Sequence, residues 1–352
     1  MNIKLGSKII SGSSEPYVIA EIGVNHECSL SKAKKMIRLA KIGGADAVKF
    51  QFYKAEKIAS IHSNAYWDVK KEKETNQFNL FKKFDKFDTS DFCNLAKYCK
   101  NLKIDFACTP FDFDSVDKLN QLVSYFKISS SDITNFPLIK KIAKKNKIIL
   151  LSTGASDIDE IRLAVNEIKK YNKKKIVLMH CILNYPTNDV DANLRMIKDL
   201  KLKFPETLIG YSDHTLPKNN MLTLSIAYAL GAVVIEKHFT DNKKKAGNDH
   251  YHSMDCKDLK IFKDKAKKIA DLLGLSNKHS TKSEKISRKN ARRSIVLSKN
   301  LAKNTTLKIS NIAFKRPGTG ISPVYYKKIL GKKINKNLKY DHILKWQDLK
   351  TI

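Results

Sequence analysis

The stretch AVVIEKHFT, Ala232 to Thr240, begins as a buried β-strand and then sets an acid, an amine and an imidazole in succession. Side chains alternate along a strand, so Glu236 and His238 share one face while Ile235, Lys237 and Phe239 share the other. Similar endings recur along the chain. Glu21 falls near the end of YVIAEIGV, with Asn25 and His26 just beyond, and AVKFQ carries Lys49 and Gln51 two positions apart. DFACTP brings Thr109, and YFKISS brings Lys127, Ser129 and Ser130, with Asp132 next. KIILLST ends on Ser152 and Thr153, IVLMHCI leads into Asn184 and Tyr185, and TLIGYSD into Ser212, Asp213 and His214.

Two chemistries stand out. Lys49 and Lys127 with the hydroxyls of Thr109, Ser130, Ser152 and Ser212 offer two cations and several donors, which suits a phosphate or a phosphate with a carboxylate, as in phosphoenolpyruvate. A buried lysine without an anion is costly, so the alternative is that each pairs with Glu21 or Glu236. His214 and His238, each two residues after another polar strand-end residue, suit a divalent metal held by few protein ligands, with positions left open for water and substrate.

The elements that must position these residues alternate between short apolar runs and amphipathic stretches from Tyr17 to about Leu273. The runs at 17–24, 47–51, 105–110, 125–130, 147–153, 176–182, 207–213 and 233–239 read as strands. Helices such as SLSKAKKMIRLAKIGG lie between them, that one opened by a serine suited to cap its first turn. Eight strands with eight helices predict a (β/α)8 TIM barrel, in which the strand ends share one mouth; a doubly wound open sheet is the alternative. The connection from Phe52 to about Asp88 is abnormally long, and Tyr66, Trp67, Phe78 and Phe81 within it predict a lid over that mouth. The ten or so residues before Gly12 predict a hairpin plugging the barrel base. We expect a catalytic unit over 1–278, a polar linker over 279–291 and a small β-rich domain over 292–352.

Composition bounds the partners. Of 352 residues, 42% are hydrophobic, enough for a sizeable core, and the net charge is +32. That charge is mostly lysine spread along the chain, whereas arginine, which reads bases and phosphates bidentately, is sparse; we expect no nucleic-acid partner. The start of the chain lacks an apolar signal-like run, no stretch approaches 18 apolar residues, and six scattered cysteines form no C-x-x-C pair. A cytoplasmic protein with reduced thiols and no membrane partner is expected.

In order along the chain, IAEIGVNH, GADAVKFQ, CTPFD, FKISSSDITNFPLI, LSTG, HCILNYPT, IGYSDHT, VIEKHFT and KRPGTGI resemble the sialic acid synthase family, and the C-terminal region resembles its antifreeze-like SAF domain. The resemblance implies condensation of phosphoenolpyruvate with an N-acylated hexosamine to a nine-carbon 2-keto-3-deoxy sugar acid. It implies manganese or magnesium on His214 and His238, and phosphoenolpyruvate on Lys49, Thr109, Lys127, Ser130, Ser152 and Ser212. Glu21, Gln51, Tyr185, Glu236 and Asp249 would surround the sugar, with Asp132 where relatives carry Glu. A domain-swapped homodimer would bring Arg316 to the sugar's acyl group. Two departures bear on the sugar: HCILNYPT shifts Asn184 by one residue from the family's HCTNIYPT, and GNDHYHSM adds two histidines beyond Asp249. A Schiff-base aldolase acting through Lys127 and a nonenzymatic carbohydrate-binding protein are the competing readings.

Overall fold

In the computed structural model, which describes residues 2–247 and 249–350, the chain separates into two compact units between Gly274 and Leu275. The first opens with an antiparallel hairpin, β1 (Asn2–Leu5) and β2 (Lys8–Ser11). Eight strands follow: β3 (Tyr17–Gly23), β4 (Ala47–Phe52), β5 (Asp105–Pro110), β6 (Tyr125–Ile128), β7 (Ile148–Ser152), β8 (Ile176–Cys181), β9 (Leu208–Asp213) and β10 (Ala232–His238). Their order, β5-β4-β3-β10-β9-β8-β7-β6, joins them in one sheet with parallel pairing throughout. The two outermost strands, β5 and β6, are consecutive in the chain and pack side by side, closing the sheet into a (β/α)8 barrel. An open doubly wound sheet would instead leave its two edge strands apart.

Local sequence accounts for these elements. All eight barrel strands are buried at essentially every position on both faces, as parallel strands covered by helices must be, so they read as apolar runs. The helix Leu30–Gly43 starts where the Ser29 side chain accepts the Lys32 amide, and it stops where Gly44 turns left-handed at φ 91°. The hairpin closes the barrel base: Ile3, Leu5 and Ile10 pack with Tyr17, Tyr125, Val177, Met179 and Leu208 in one interior cluster. A larger cluster lies between the outer faces of the strands and the helices.

The 52–88 connection is ordered into a short helix, Ala55–Ile58, a stretch of turns and a helix, Gln77–Phe84, capped by Asn76. In the second unit β11 (Ser294–Leu297) and β12 (Ile312–Lys315) pair antiparallel over a core that includes Ile295, Leu297, Ile321, Ile334 and Leu344. Part of the expected linker is helical, Lys285–Ala291, with no buried residue, so no apolar period marked it in the sequence. Among the described residues, no helix is long and apolar enough to cross a membrane.

Candidate active site

The parallel register explains which strand-end side chains meet. Glu21 on β3 lies opposite Lys49 on β4, and Glu236 on β10 lies opposite Ser212 on β9. All four point into the barrel. Lys49 Nζ stands 2.6 Å from Glu21 Oε2 and 3.9 Å from Glu236 Oε1, and it donates to Thr109 Oγ1 at 3.1 Å. Lys127 Nζ lies 3.3 Å from Glu236 Oε1, the oxygen that also accepts from Ser212 Oγ at 3.0 Å. Gln51 donates to Glu21 Oε1 at 3.1 Å. Both lysines therefore pair with the barrel carboxylates, which was the alternative to ligand occupancy in the sequence.

That pairing is incomplete. Ser152 Oγ and Glu236 Oε2 are buried with no hydrogen-bond partner, a costly arrangement for polar groups. The two carboxylates also differ in charge. Burial, with Glu236 nearby, pushes Glu21 up to about 7 despite the pull of Lys49. Burial opposes the charge of Glu236 as well, but Lys127 and Lys49, with the Ser212 hydrogen bond, hold it down to about 2. Burial likewise opposes the charge of Lys49, yet Glu21 and Glu236 keep its ammonium above the usual lysine range. Below about pH 7, where Glu21 is protonated, two cations face one firmly ionised carboxylate, and the cluster favours an anion.

Ser130 Oγ accepts the Gly154 amide at 3.1 Å and lies 3.5 Å from Cys181 Sγ. Above it the imidazoles gather. The ring centroids of His214 and His238 are 5.6 Å apart, and Tyr185 lies 4.1 Å from His214. His214 Nδ1 is 2.8 Å from the Ile182 carbonyl, to which it donates. Burial holds His238 neutral, well below the usual histidine range, and its Nδ1 lacks a hydrogen-bond partner, with Asp249 Oδ2 3.3 Å away. Two imidazoles so placed fit a divalent metal. Among the described residues no group of three or more His, Cys, Asp or Glu is gathered to hold an ion by itself. A metal on this pair would keep positions for water and substrate.

Asp249 bridges two rings, since its other oxygen meets His252 Nε2 at 3.2 Å; with His238 and His252 beside it, its carboxyl stays well below the usual range against the cost of burial. His252, completely buried, was visible in the sequence only as an extra histidine after Asp249. Cys181, 3.8 Å from His214 Nδ1, carried no signal beyond its place at a strand end. Asp132 lines a second cavity at the mouth with Ser129, Ser131 and Asn135, and burial raises its carboxyl.

Other expected positions fall elsewhere. Asn184 is exposed and is absent from the cavities at the mouth, which Leu183 and Tyr185 line instead. The one-residue shift in HCILNYPT turns it outward while Tyr185 turns in. Arg316 is exposed in the second unit. Asn25 ties the first strand to the Phe239 carbonyl and Ser253, and His26 stacks on Phe87 at 4.3 Å with burial holding it neutral, down to about 4; both are structural.

Asp213 faces outward too. Its register partner on β10 is Lys237, whose completely buried ammonium lies 2.6 Å from Asp213 Oδ2 and donates to the Thr215 carbonyl at 2.6 Å. Tyr211 and the Thr215 amide satisfy Asp213 Oδ1. The clamp fixes the backbone on which His214 and His238 sit. Lys237→Met leaves a buried carboxylate unpaired and is expected to cost about 3–5 kcal/mol in denaturant unfolding, most of it regained in the double variant Asp213→Leu, Lys237→Met. Equal instability of single and double variants would contradict a pairwise clamp.

A barrel whose mouth gathers an anion chamber beneath an imidazole pair, followed by a small β domain, defines a class of sugar-acid synthases, and the comparisons agree. The NeuB family model matches residues 36–278 and the SAF domain model residues 292–350, so the chain belongs to the NeuB family and carries a C-terminal SAF domain. It is similar to the N,N'-diacetyllegionaminic acid synthase of Campylobacter jejuni, 39% identical over 332 residues that cover 93% of this chain and 98% of that one. It is also similar to the N-acetylneuraminate-9-phosphate synthase of Drosophila melanogaster, 35% identical over 266 residues, 72% of this chain and 68% of that one. Among solved structures, the N-acetylneuraminic acid (sialic acid) synthetase of Leptospira borgpetersenii, in complex with citrate, matches with a TM-score of 0.72 and 34% identity, covering 82% of this chain and 95% of that one.

Proposed function

We propose that the protein condenses phosphoenolpyruvate with an open-chain N-acylated hexosamine, in a reaction requiring manganese or magnesium, to give a nine-carbon 2-keto-3-deoxy sugar acid and phosphate. One observation carries this reading: the buried Lys49 and Lys127 pair with Glu21 and Glu236, while Glu236 Oε2 and Ser152 Oγ stay buried without a hydrogen-bond partner. Relatives named as N,N'-diacetyllegionaminic acid and N-acetylneuraminate-9-phosphate synthases support the same class of reaction.

In this reading Lys49 and Lys127 hold the phosphate and carboxylate of phosphoenolpyruvate, and Thr109, Ser130, Ser152 and Ser212 donate to their oxygens. Gln51, Tyr185, Asp132 and Asp249 orient the sugar, whose aldehyde carbon must approach C3 of the enol. His214 and His238 would hold the metal, which would supply Lewis acidity for the aldehyde. C3 forms the new carbon–carbon bond, the aldehyde oxygen gains a proton to become a hydroxyl, and positive charge develops at C2. Glu21 takes a proton from water as its oxygen adds to C2, giving a tetrahedral intermediate. The C2–O bond to phosphate then breaks, the C2 hydroxyl loses its proton, and the ketone remains. The lysines lie where charge grows on the departing phosphate.

We place the enzyme in the cytoplasm and assign Arg316 to the acyl group of a sugar bound in a partner's barrel, within a swapped homodimer. Mixing Arg316→Ala with His238→Ala subunits should restore sites that neither variant has alone; absence of complementation contradicts the swap. The reaction itself is tested by phosphate release from phosphoenolpyruvate. Release should require an N-acylated hexose and manganese and should cease in EDTA. Activity that resists EDTA and is trapped on Lys127 by borohydride would support a Schiff-base aldolase instead.

A further inference from the structure

His252 is one of the two histidines that GNDHYHSM adds beyond Asp249, and the synthase reading gives it no part. Its side chain is completely buried, yet only one ring nitrogen has a partner: Nε2 lies 3.2 Å from Asp249 Oδ1, while Nδ1 is left without one. A carboxylate only accepts, so the imidazole donates. The other oxygen, Asp249 Oδ2, stands 3.3 Å from His238 Nδ1. These polar contacts run in one file, from His252 through Asp249 to His238. The backbone around them is fixed. The Met254 amide donates to the His238 carbonyl at 2.8 Å and the Thr240 amide to the Met254 carbonyl at 3.0 Å, which laces the segment after His252 to the end of β10. Ser253 Oγ donates to the Asp249 carbonyl at 2.6 Å. The Asp249 carboxylate itself is partly exposed, and among the described residues its side-chain polar partners are the two imidazoles. His252 is no third ligand, since its paired nitrogen is taken up by Asp249 and no larger group gathers among the described residues. A buried, unpartnered nitrogen costs about 1–3 kcal/mol, which an apolar side chain of similar volume would avoid, so packing alone does not account for an imidazole here.

We propose that His252 is a positioning residue for the metal site: it holds the Asp249 carboxylate turned toward His238, and the carboxylate in turn fixes the His238 ring for a manganese or magnesium ion. The inference rests on the reading above that His214 and His238 hold that ion. An imidazole that ligates a metal through one nitrogen almost always donates from the other to a carboxylate, a carbonyl or water, and loss of such a partner costs about 10–100-fold in metal affinity. The His238–Asp249 contact is long and off the line of a hydrogen bond, as such contacts often are before a ligand draws them tight. Without His252 the partly exposed carboxylate is free to turn to solvent, and His238 loses the group that faces its Nδ1.

The test is manganese binding to the purified protein at one fixed pH, after treatment with EDTA and gel filtration, read by the electron paramagnetic resonance of free manganese. His252→Leu keeps most of the volume and removes the donor; it should raise the manganese Kd by about 10–100-fold. His252→Gln returns an N–H donor at similar reach and should stay within about threefold of the wild type, because Asp249 needs the donor rather than the ring. In an Asp249→Asn background, His252→Leu should add less than about threefold, since two residues acting through one contact are not additive. Should His252→Leu not fold, His252→Ala, which also lacks the donor, takes its place. A Kd unmoved by loss of the donor, equal weakening in the Leu and Gln variants, or full additivity with Asp249→Asn overturns the proposal. A wild type that binds manganese beside a Leu variant that binds it equally well removes this inference alone; a wild type that binds none removes the metal reading as well.

Discussion

His238→Ala is expected to lower phosphate release by about a thousandfold or more, and to lower bound manganese in the purified protein to match. Lewis-acid assistance at a reacting carbonyl is worth several kcal/mol, and each 1.4 kcal/mol is a factor of ten in rate. The site offers only two imidazoles to a metal, so removing one halves the protein's nitrogen ligands, with no third cluster member among the described residues to compensate. Chelation should bring the wild-type protein to the same floor. Added manganese should then rescue the wild type and not the variant. The ring also contacts Tyr185 and His252, at centroid distances of 6.1 and 4.9 Å, so thermal unfolding is needed as a control. A folded variant that keeps its rate in EDTA would remove His238 from metal binding and the metal from the reaction.

Glu21→Gln is expected to cost about 10²–10⁴ in kcat, the usual worth of a positioned general base, while KM for phosphoenolpyruvate stays level or falls. The split follows from geometry. The Glu21 carboxylate competes with an incoming anion for Lys49, from which it lies 2.6 Å, and glutamine removes that competitor without removing the shape. The pH dependence has a definite sign. Burial raises Glu21 to about 7, so its base form dominates only above that pH, and wild-type kcat/KM should fall tenfold per unit as pH drops below 7. The variant should lack that part of the acid limb; comparing the two cancels titration of the ligand's own phosphate. An unchanged limb in Glu21→Gln would assign the base elsewhere.

Much of this site was legible in the sequence because a barrel converts position along a strand into position in space. Strands buried on both faces appear as apolar runs, so their ends, and the polar residues there, could be located within a residue or two. Alternation then separated Glu236 and His238 from Lys237. What alternation cannot supply is the partner across the sheet, which depends on register. The Lys237–Asp213 clamp and the Lys49–Glu21 pair both follow from register, and neither partner is named by its own strand. Asn184 shows a second limit: beyond the end of β8 the two-residue period lapses, and a loop decides that Tyr185 faces in. The lid's aromatic residues signalled order, but the wall they build with Tyr185 emerges only when loop and barrel meet.

The central claim is that water adds at C2 and that phosphate departs with its bridging oxygen. It is tested by supplying phosphoenolpyruvate labelled with 18O at that oxygen, with manganese and an accepted N-acylated hexose. The label should be recovered in inorganic phosphate, in step with sugar acid formed. Label retained in the keto group would mean that water attacks phosphorus and that the enol is released before condensation, which would contradict Glu21 as the base at C2 and Lys49 and Lys127 as the cations that receive the departing phosphate.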